Sequence, residues 1–221
     1  MYIVLLGAPG AGKGTIAKIL AKDLGLTHIS TGDIFRKEMK NRTKLGKEIV
    51  QYMDNGLLVP DDIVLEVVEK RLKRADTKEG AILDGFPRTV VQAEALEKFL
   101  KEYNPEKKLM TVELKVEDRQ IIKRITNRLT CSNEDCKAIY NLESKPPKAK
   151  GICDICGSEL IRRPDDTKKT VRRRLRIYHK NSKKLIKFYK KNNELFSIKS
   201  TEVSETIENI KEYLKKIEGS N

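Results

Sequence analysis

Tryptophan is absent from this 221-residue chain, aromatic residues make up 5% of it, and 32 acidic side chains face 46 Lys and Arg. Scarce aromatics leave little for base stacking, on which proteins that grip single-stranded nucleic acid rely. A zinc-ribbon reading of that kind would rest on the cysteine-bearing segment, which offers only Tyr140. The acidic deficit gives a formal net charge of +14, so the expected partners are anions: nucleotides, nucleic acid or acidic lipid. No apolar run approaches the roughly 18 residues of a membrane-spanning helix. Met1 leads straight into a short apolar stretch, without the basic segment and small-residue cleavage site of a secretory signal. These absences point to a cytoplasmic protein with no membrane partner. Much of the lysine excess, as at Lys183-Lys184, Lys187 and Lys190-Lys191, reads as solvated helix face.

The chain is organised around Gly7-Ala8-Pro9-Gly10-Ala11-Gly12-Lys13-Gly14-Thr15, which follows the apolar run Tyr2 to Leu6. The run reads as a strand buried on both faces, and Ile16, Ile19, Leu20 and Leu24 recur at helical spacing behind it. Glycines at such a strand-to-helix turn let backbone N–H groups close around phosphate oxygens, with the helix dipole and Lys13 adding positive charge. The match to Gly-x-x-x-x-Gly-Lys-Ser/Thr is incomplete. Gly14 occupies the position of the magnesium-binding hydroxyl and Thr15 comes one residue later, so the metal must lean on other groups.

A short strand Thr27 to Ser30 precedes a helix beginning near Thr31-Gly32-Asp33 with Arg36 in it, and a further helix spans Thr43 to Asn55. His28 reads as structural. The segment from Ser30 to Val59 looks like a helical excursion from the sheet and a candidate second-substrate pocket. Gly80 to Leu83 is the next buried strand, running into Asp84-Gly85-Phe86-Pro87-Arg88-Thr89. A carboxylate leaving a buried strand is well placed to hold Mg²⁺ through water, and the planar fork of Arg88 suits a phosphate. After a helix through Leu100 and a strand from Leu109 to Leu114, a helix is expected over Asp118 to Leu129, with Arg124 and Arg128 on one face. A long helix follows Arg163-Pro164-Asp165-Asp166 and presents Arg174 to the cleft; Leu195 to Ile198 is expected to be the fifth strand.

Between Asn127 and Asp166 neither helical nor strand periodicity is visible. Here Cys131 and Cys136 have four residues between them, Cys153 and Cys156 have two, and sixteen separate the pairs. Two close pairs on a short connector suit a tetrahedral four-thiolate zinc site better than a disulfide or free thiols.

Taken together, the separated motifs resemble the adenylate kinase family in its long form with a zinc-bearing lid. The resemblance implies an α/β fold: a P-loop parallel five-stranded sheet flanked by helices, with a core of 1–29, 60–126 and 167–221, an AMP-binding insertion of 30–59 and a lid of 127–166. It implies the reversible reaction of ATP and AMP to two ADP, with Mg²⁺ and structural Zn²⁺, in a monomer. By position, Gly10, Ala11, Gly12, Lys13, Gly14 and Thr15 would hold the ATP phosphates. Arg124 and Arg128 would face ATP, with Ile139 and Tyr140 near its adenine and ribose. Thr31, Arg36, Leu57, Leu58, Val59, Gly85, Phe86, Pro87, Arg88 and Gln92 would form the AMP site, with Gln92 reading the adenine edge. Arg163 and Arg174 would span both nucleotides, and Asp84 would carry the magnesium. The family's lid normally has two residues between its first two cysteines, so the interval Ser132 to Asp135 is a departure. A UMP/CMP kinase shares the glycine loop but usually lacks a long cysteine-bearing lid.

Overall fold

The computed structural model describes residues 1–192 and 194–218. β1 (Tyr2–Gly7) is buried along its whole length because its two faces meet two different layers. Tyr2, Val4 and Leu6 enter one core cluster, while Ile3 and Leu5 enter the other. That demand on both faces is met at the centre of a parallel sheet covered by helices on each side.

The chain continues through α1 (Lys13–Leu24), β2 (Thr27–Ser30), α2 (Thr31–Lys40), α3 (Lys44–Asp54), α4 (Asp61–Leu72), β3 (Ala81–Asp84) and α5 (Val90–Tyr103). β4 (Leu109–Lys115), α6 (Asp118–Thr126), β5 (Arg128–Cys131), β6 (Ile139–Asn141) and β7 (Leu160–Ile161) follow. α7 (Lys168–Lys191), β8 (Leu195–Lys199) and α8 (Val203–Glu218) complete it. The main sheet is parallel, with five strands in the order β2-β3-β1-β4-β8. α1 and α8 pack on one face through Ile16, Leu20, Ile207, Ile210 and Leu214; Val64, Val68, Leu96 and Leu185 cover the other. β1 lies between β3 on one side and β4 on the other, so a crevice opens beyond their carboxyl ends, where open α/β sheets collect ligands.

Four helix starts, those of α2, α3, α5 and α7, are set by short polar side chains. Ser30 accepts a hydrogen bond from the Asp33 amide, Thr43 from Gly46, Thr89 from Gln92 and Thr167 from Thr170. Each satisfies an amide that has no partner inside its own helix. The apolar stripe of α8 is buried at Ile207, Ile210 and Leu214, but Val203 at its first turn is 39% exposed, because it lies beyond the edge of the sheet cluster.

Two sequence expectations fail between Asp118 and Asp166. α6 stops at Thr126, and Arg128 and Leu129 belong to β5, so Arg124 and Arg128 share no helix face. Arg124 Nη2 instead donates to the Thr201 carbonyl, and Asn141 Nδ2 reaches back to the Arg124 carbonyl. The cysteine segment is not without strands: β6-β5-β7 form a small antiparallel sheet. Strands of two to four residues are too short to show a period of two.

Candidate active site

The glycine loop joins β1 to α1 through backbone that side chains disfavour. Gly10 has φ +86 and Gly12, the N-cap of α1, φ +97. A Cβ on Gly10 would meet the Ile125 side chain at 2.7 Å, so glycine is required there for shape as well as for conformation. Lys13 Nζ lies across the loop and donates to the carbonyls of Gly7 and Ala8, at 2.8 and 3.0 Å. Burial pushes Lys13 down to about 8; Asp84 opposes that shift, and Arg88 and Arg128 add to it.

Asp84 ends β3 level with Leu5 of β1, which brings its carboxylate alongside the loop. A Cβ on Gly14 would stand 3.1 Å from Asp84 Oδ2. Glycine in place of the usual hydroxyl residue therefore opens the space that this carboxylate fills. Burial acts to raise the Asp84 pKa, but His28 and Lys13 outweigh it and hold the group below the usual carboxylate value. His28 Nε2 lies 3.7 Å from Asp84 Oδ2, too far for a direct hydrogen bond.

Opposite the loop stand Arg36 of α2, Arg88 from the turn after β3 and Arg174 of α7. A cleft lined by Pro9, Lys13, Arg36, Leu57, Arg88 and Arg174 unites both sides. Arg88 is exposed to the open cleft, yet desolvation by the cleft walls lowers it to about 10 with help from Arg174 and Arg36, and burial lowers Arg163 to about 10 with help from Arg36 and Arg128. Charges that depress one another this way are a site for a polyanion. Carboxylates that motif reading did not assign hold some of them. Asp166 accepts two bonds from Arg128, at 2.8 and 2.5 Å, Asp165 accepts from Arg174, and Asp33 accepts from Arg36. Both Asp165 and Asp166 are buried. Their presence in Arg163-Pro164-Asp165-Asp166 was visible in the sequence, but their partners were not: Arg128 lies 38 residues from Asp166, and Arg174 meets Asp165 from a separate element, α7.

Around the second pocket, Thr31 donates to the Gly85 carbonyl at 3.0 Å, and Arg88 Nε donates to the same oxygen at 2.7 Å. Phe86 and Val59 are buried, while Leu57 and Leu58 remain half-buried. Gly56 (φ +65) packs against Thr170 and Arg174, which ties the segment before Leu57 to α7. Gln92 is buried on the first turn of α5, behind Arg88.

In the lid, the four sulfurs of Cys131, Cys136, Cys153 and Cys156 lie within 4.8 Å of one another. The Cys131–Cys156 and Cys136–Cys153 separations are 3.4 and 3.7 Å, far beyond an S–S bond and close to the roughly 3.8 Å edge of a tetrahedron with 2.3 Å metal–sulfur bonds. The wide first interval is absorbed by a turn: Asn133 Oδ1 accepts from the Asp135 and Cys136 amides, and Lys137 takes φ +45. At the second pair, the Gly157 amide bonds back to the Cys153 carbonyl at 2.9 Å. Burial pushes Cys131 up to about 12. At Cys153, the Cys156 and Ile155 amides outweigh burial and bring the thiol to about 6. Tyr140 is buried inside the lid, where its hydroxyl accepts from the Asp154 amide at 2.8 Å; Ile139 is half-buried. The lid touches α1 through Lys18 Nζ, 2.9 Å from the Lys137 carbonyl, and α2 through Lys40, 2.6 Å from Glu134.

A glycine loop between a central strand and a helix, with a carboxylate from the neighbouring strand and arginines facing it, defines a P-loop nucleotide phosphotransferase. The adenylate kinase family pattern matches residues 5–194. A protein of Caldicellulosiruptor bescii named adenylate kinase is 50% identical over 191 residues, covering 86% of this chain and 87% of the relative. Proteins of the same name from Clostridium botulinum and Clostridium tetani are each 47% identical over 215 residues, covering 97% of this chain and 98% of theirs. The chain belongs to the adenylate kinase family, whose reaction is phosphoryl transfer between ATP and AMP to give two ADP. Among the described residues, no helix is long and apolar enough to cross a membrane.

Proposed function

We propose that this chain runs the ATP–AMP reaction as a two-sided charge clamp. Gly10 to Thr15 cradle the ATP phosphates, with Arg128 and Arg124 on the lid side. Arg36 and Arg88 hold the AMP phosphate, Thr31, Leu57 to Val59 and Gly85 to Pro87 shape its pocket, and Gln92 reads its base. Arg163 and Arg174 bridge the two nucleotides. Residues 30–59 form the AMP-binding insertion, 127–166 the lid, and the remainder the core. The observation that carries this reading is the single cleft lined by Lys13 from one side and Arg36, Arg88 and Arg174 from the other.

The attacking AMP oxygen is already anionic, so no general base is needed. Alignment and charge neutralisation supply the rate. Lys13 follows the transferred group, the arginines balance its equatorial oxygens, and closure of the lid keeps water from intercepting it. Asp84, ionised and beside the loop, fits a role in holding Mg²⁺ through water; the ion when bound neutralises charge shared by the β- and γ-phosphates. The four converging sulfurs fit Zn²⁺, which lends the lid rigidity and takes no part in the transfer. The side chain of Tyr140 serves the lid core, which leaves Ile139 and the local backbone to meet the ATP base. The protein is expected to act as a cytoplasmic monomer.

A coupled assay with ATP and each of AMP, CMP, UMP and GMP tests the assignment. AMP is expected to be preferred, and preference for UMP would overturn it.

A further inference from the structure

Gln92 is held at both ends. Its Oε1 accepts from the Arg88 backbone N–H at 2.8 Å, and its Nε2 donates to Asp61 Oδ1 at 2.7 Å. Asp61 belongs to the first turn of α4, a different segment of the chain. Its other oxygen accepts from Thr89 Oγ1 at 3.1 Å, and Thr89 Oγ1 in turn accepts from the Gln92 amide at 3.2 Å. A backbone N–H only donates and a carboxylate only accepts. Turning the Gln92 side chain over would set N–H against N–H and oxygen against carboxylate, at a residue only 1% exposed. The order of the two amide ends is therefore dictated by Arg88 and Asp61.

One N–H and one oxygen lone pair of that amide remain for a ligand, in a fixed order. The adenine edge offers a donor at N6 and an acceptor at N1, which meets that order one way round. A 6-oxopurine offers an acceptor at C6 and a donor at N1, the reverse. With the phosphate clamped by arginines the base cannot turn over to compensate. We propose that Asp61 is a positioning residue for base specificity: by locking the Gln92 amide, it makes the site favour a 6-aminopurine monophosphate over a 6-oxopurine one. The inference rests on the proposed role of Gln92 in reading the base.

The test is the ratio of kcat/KM for AMP to that for inosine monophosphate, which differs from AMP only at this edge. Both are measured on the same sample, so the folded fraction cancels. Calorimetric Kd values give the ground-state counterpart of that ratio where turnover is too slow. In Asp61→Asn the new amide can meet either end of Gln92, and in Asp61→Ser the hydroxyl both donates and accepts. Both variants are expected to lower the ratio by about tenfold. A purely structural role, tying α4 to α5, lowers both substrates together and leaves the ratio alone. An unchanged ratio in both Asp61 variants, with a collapsed ratio in Gln92→Leu, overturns the role of Asp61 and keeps that of Gln92. An unchanged ratio in Gln92→Leu as well overturns base reading by Gln92, and the role of Asp61 with it.

Discussion

The glycine loop and the cysteine lid both hold a few atoms in fixed positions, by opposite means. The loop is held from beneath: β1 is paired on both edges and buried on both faces, so the backbone between Gly7 and Lys13 inherits the rigidity of the sheet. The lid has no such foundation. Its core is Cys131, Tyr140, Cys153 and Leu160, and its longest strand has four residues. A cluster that small does not offset the chain entropy of the segment around it, so the lid depends on its four sulfurs being tied together. The core is therefore expected to survive loss of its chemistry, whereas the lid is expected to lose its structure when the proposed zinc is removed.

The sharpest way to break that contrast is at Lys13. Lys13→Ala is expected to lower kcat by about 10³-fold or more, since on the proposed mechanism the charge that follows the transferred phosphoryl is lost from a desolvated site. The melting temperature of the unliganded protein should not fall and is expected to rise at neutral pH, because β1 and α1 keep their packing and a desolvated charge is removed. A coupled assay and a thermal melt check the two halves, and retained activity would refute the role given to Lys13.

The lid should behave the other way. Metal analysis is expected to find about one zinc per chain, and Cys153→Ser or chelation is expected to lower activity about 10–100-fold through loss of lid order. Amide exchange should show lost protection in β5 to β7, with β1 and β3 still protected. An unchanged melt and exchange pattern in metal-free protein would reject a structural metal.

The same contrast governs what could be read from the sequence. β1, the glycine loop, the Asp84 strand end and the threonine-capped helices follow from local pattern and local chemistry, and the structure places them where the spacing put them. In the lid, local pattern failed. β5, β6 and β7 are too short to alternate, and Arg128 lies on a strand where helical spacing had paired it with Arg124. The spacing of the cysteines did foretell their convergence, because a metal-sized cluster needs only tight turns. The partners of the carboxylates behind the site, Asp61, Asp165 and Asp166, were not legible, because each lies far along the chain or on another element.

A smaller effect probes how backbone and side chain cooperate in the core. Gly14→Ser restores the commoner loop ending, yet it is expected to lower kcat/KM about tenfold, since its Cβ presses on the Asp84 carboxylate and displaces it from its place beside the loop. The loss should appear mainly as a raised Mg²⁺ requirement in a magnesium titration. A gain in activity would mean that Asp84 does not take over the duty of the missing hydroxyl.

The smallest effect is in pH, and its sign separates chemistry from stability. Lys13 titrates near 8 in the unliganded protein, because burial and the nearby arginines oppose its charge. The kcat/KM for ATP reports the free enzyme, so it should fall about twofold at pH 8 and about tenfold by pH 9. The substrate phosphates ionise near pH 6 and contribute no slope there. Stability runs the other way. Between the folded value of about 8 and the unfolded 10.5, the unfolded chain binds more protons at Lys13, so this group adds stability as pH rises through that window. Lys13→Arg should retain only part of the activity, but with a profile flat to beyond pH 9, and Lys13→Met should remove this group's contribution to the stability slope. A wild-type profile that stays level through pH 9 would mean that Lys13 keeps its charge, and that the loop holds its lysine less desolvated than its burial implies.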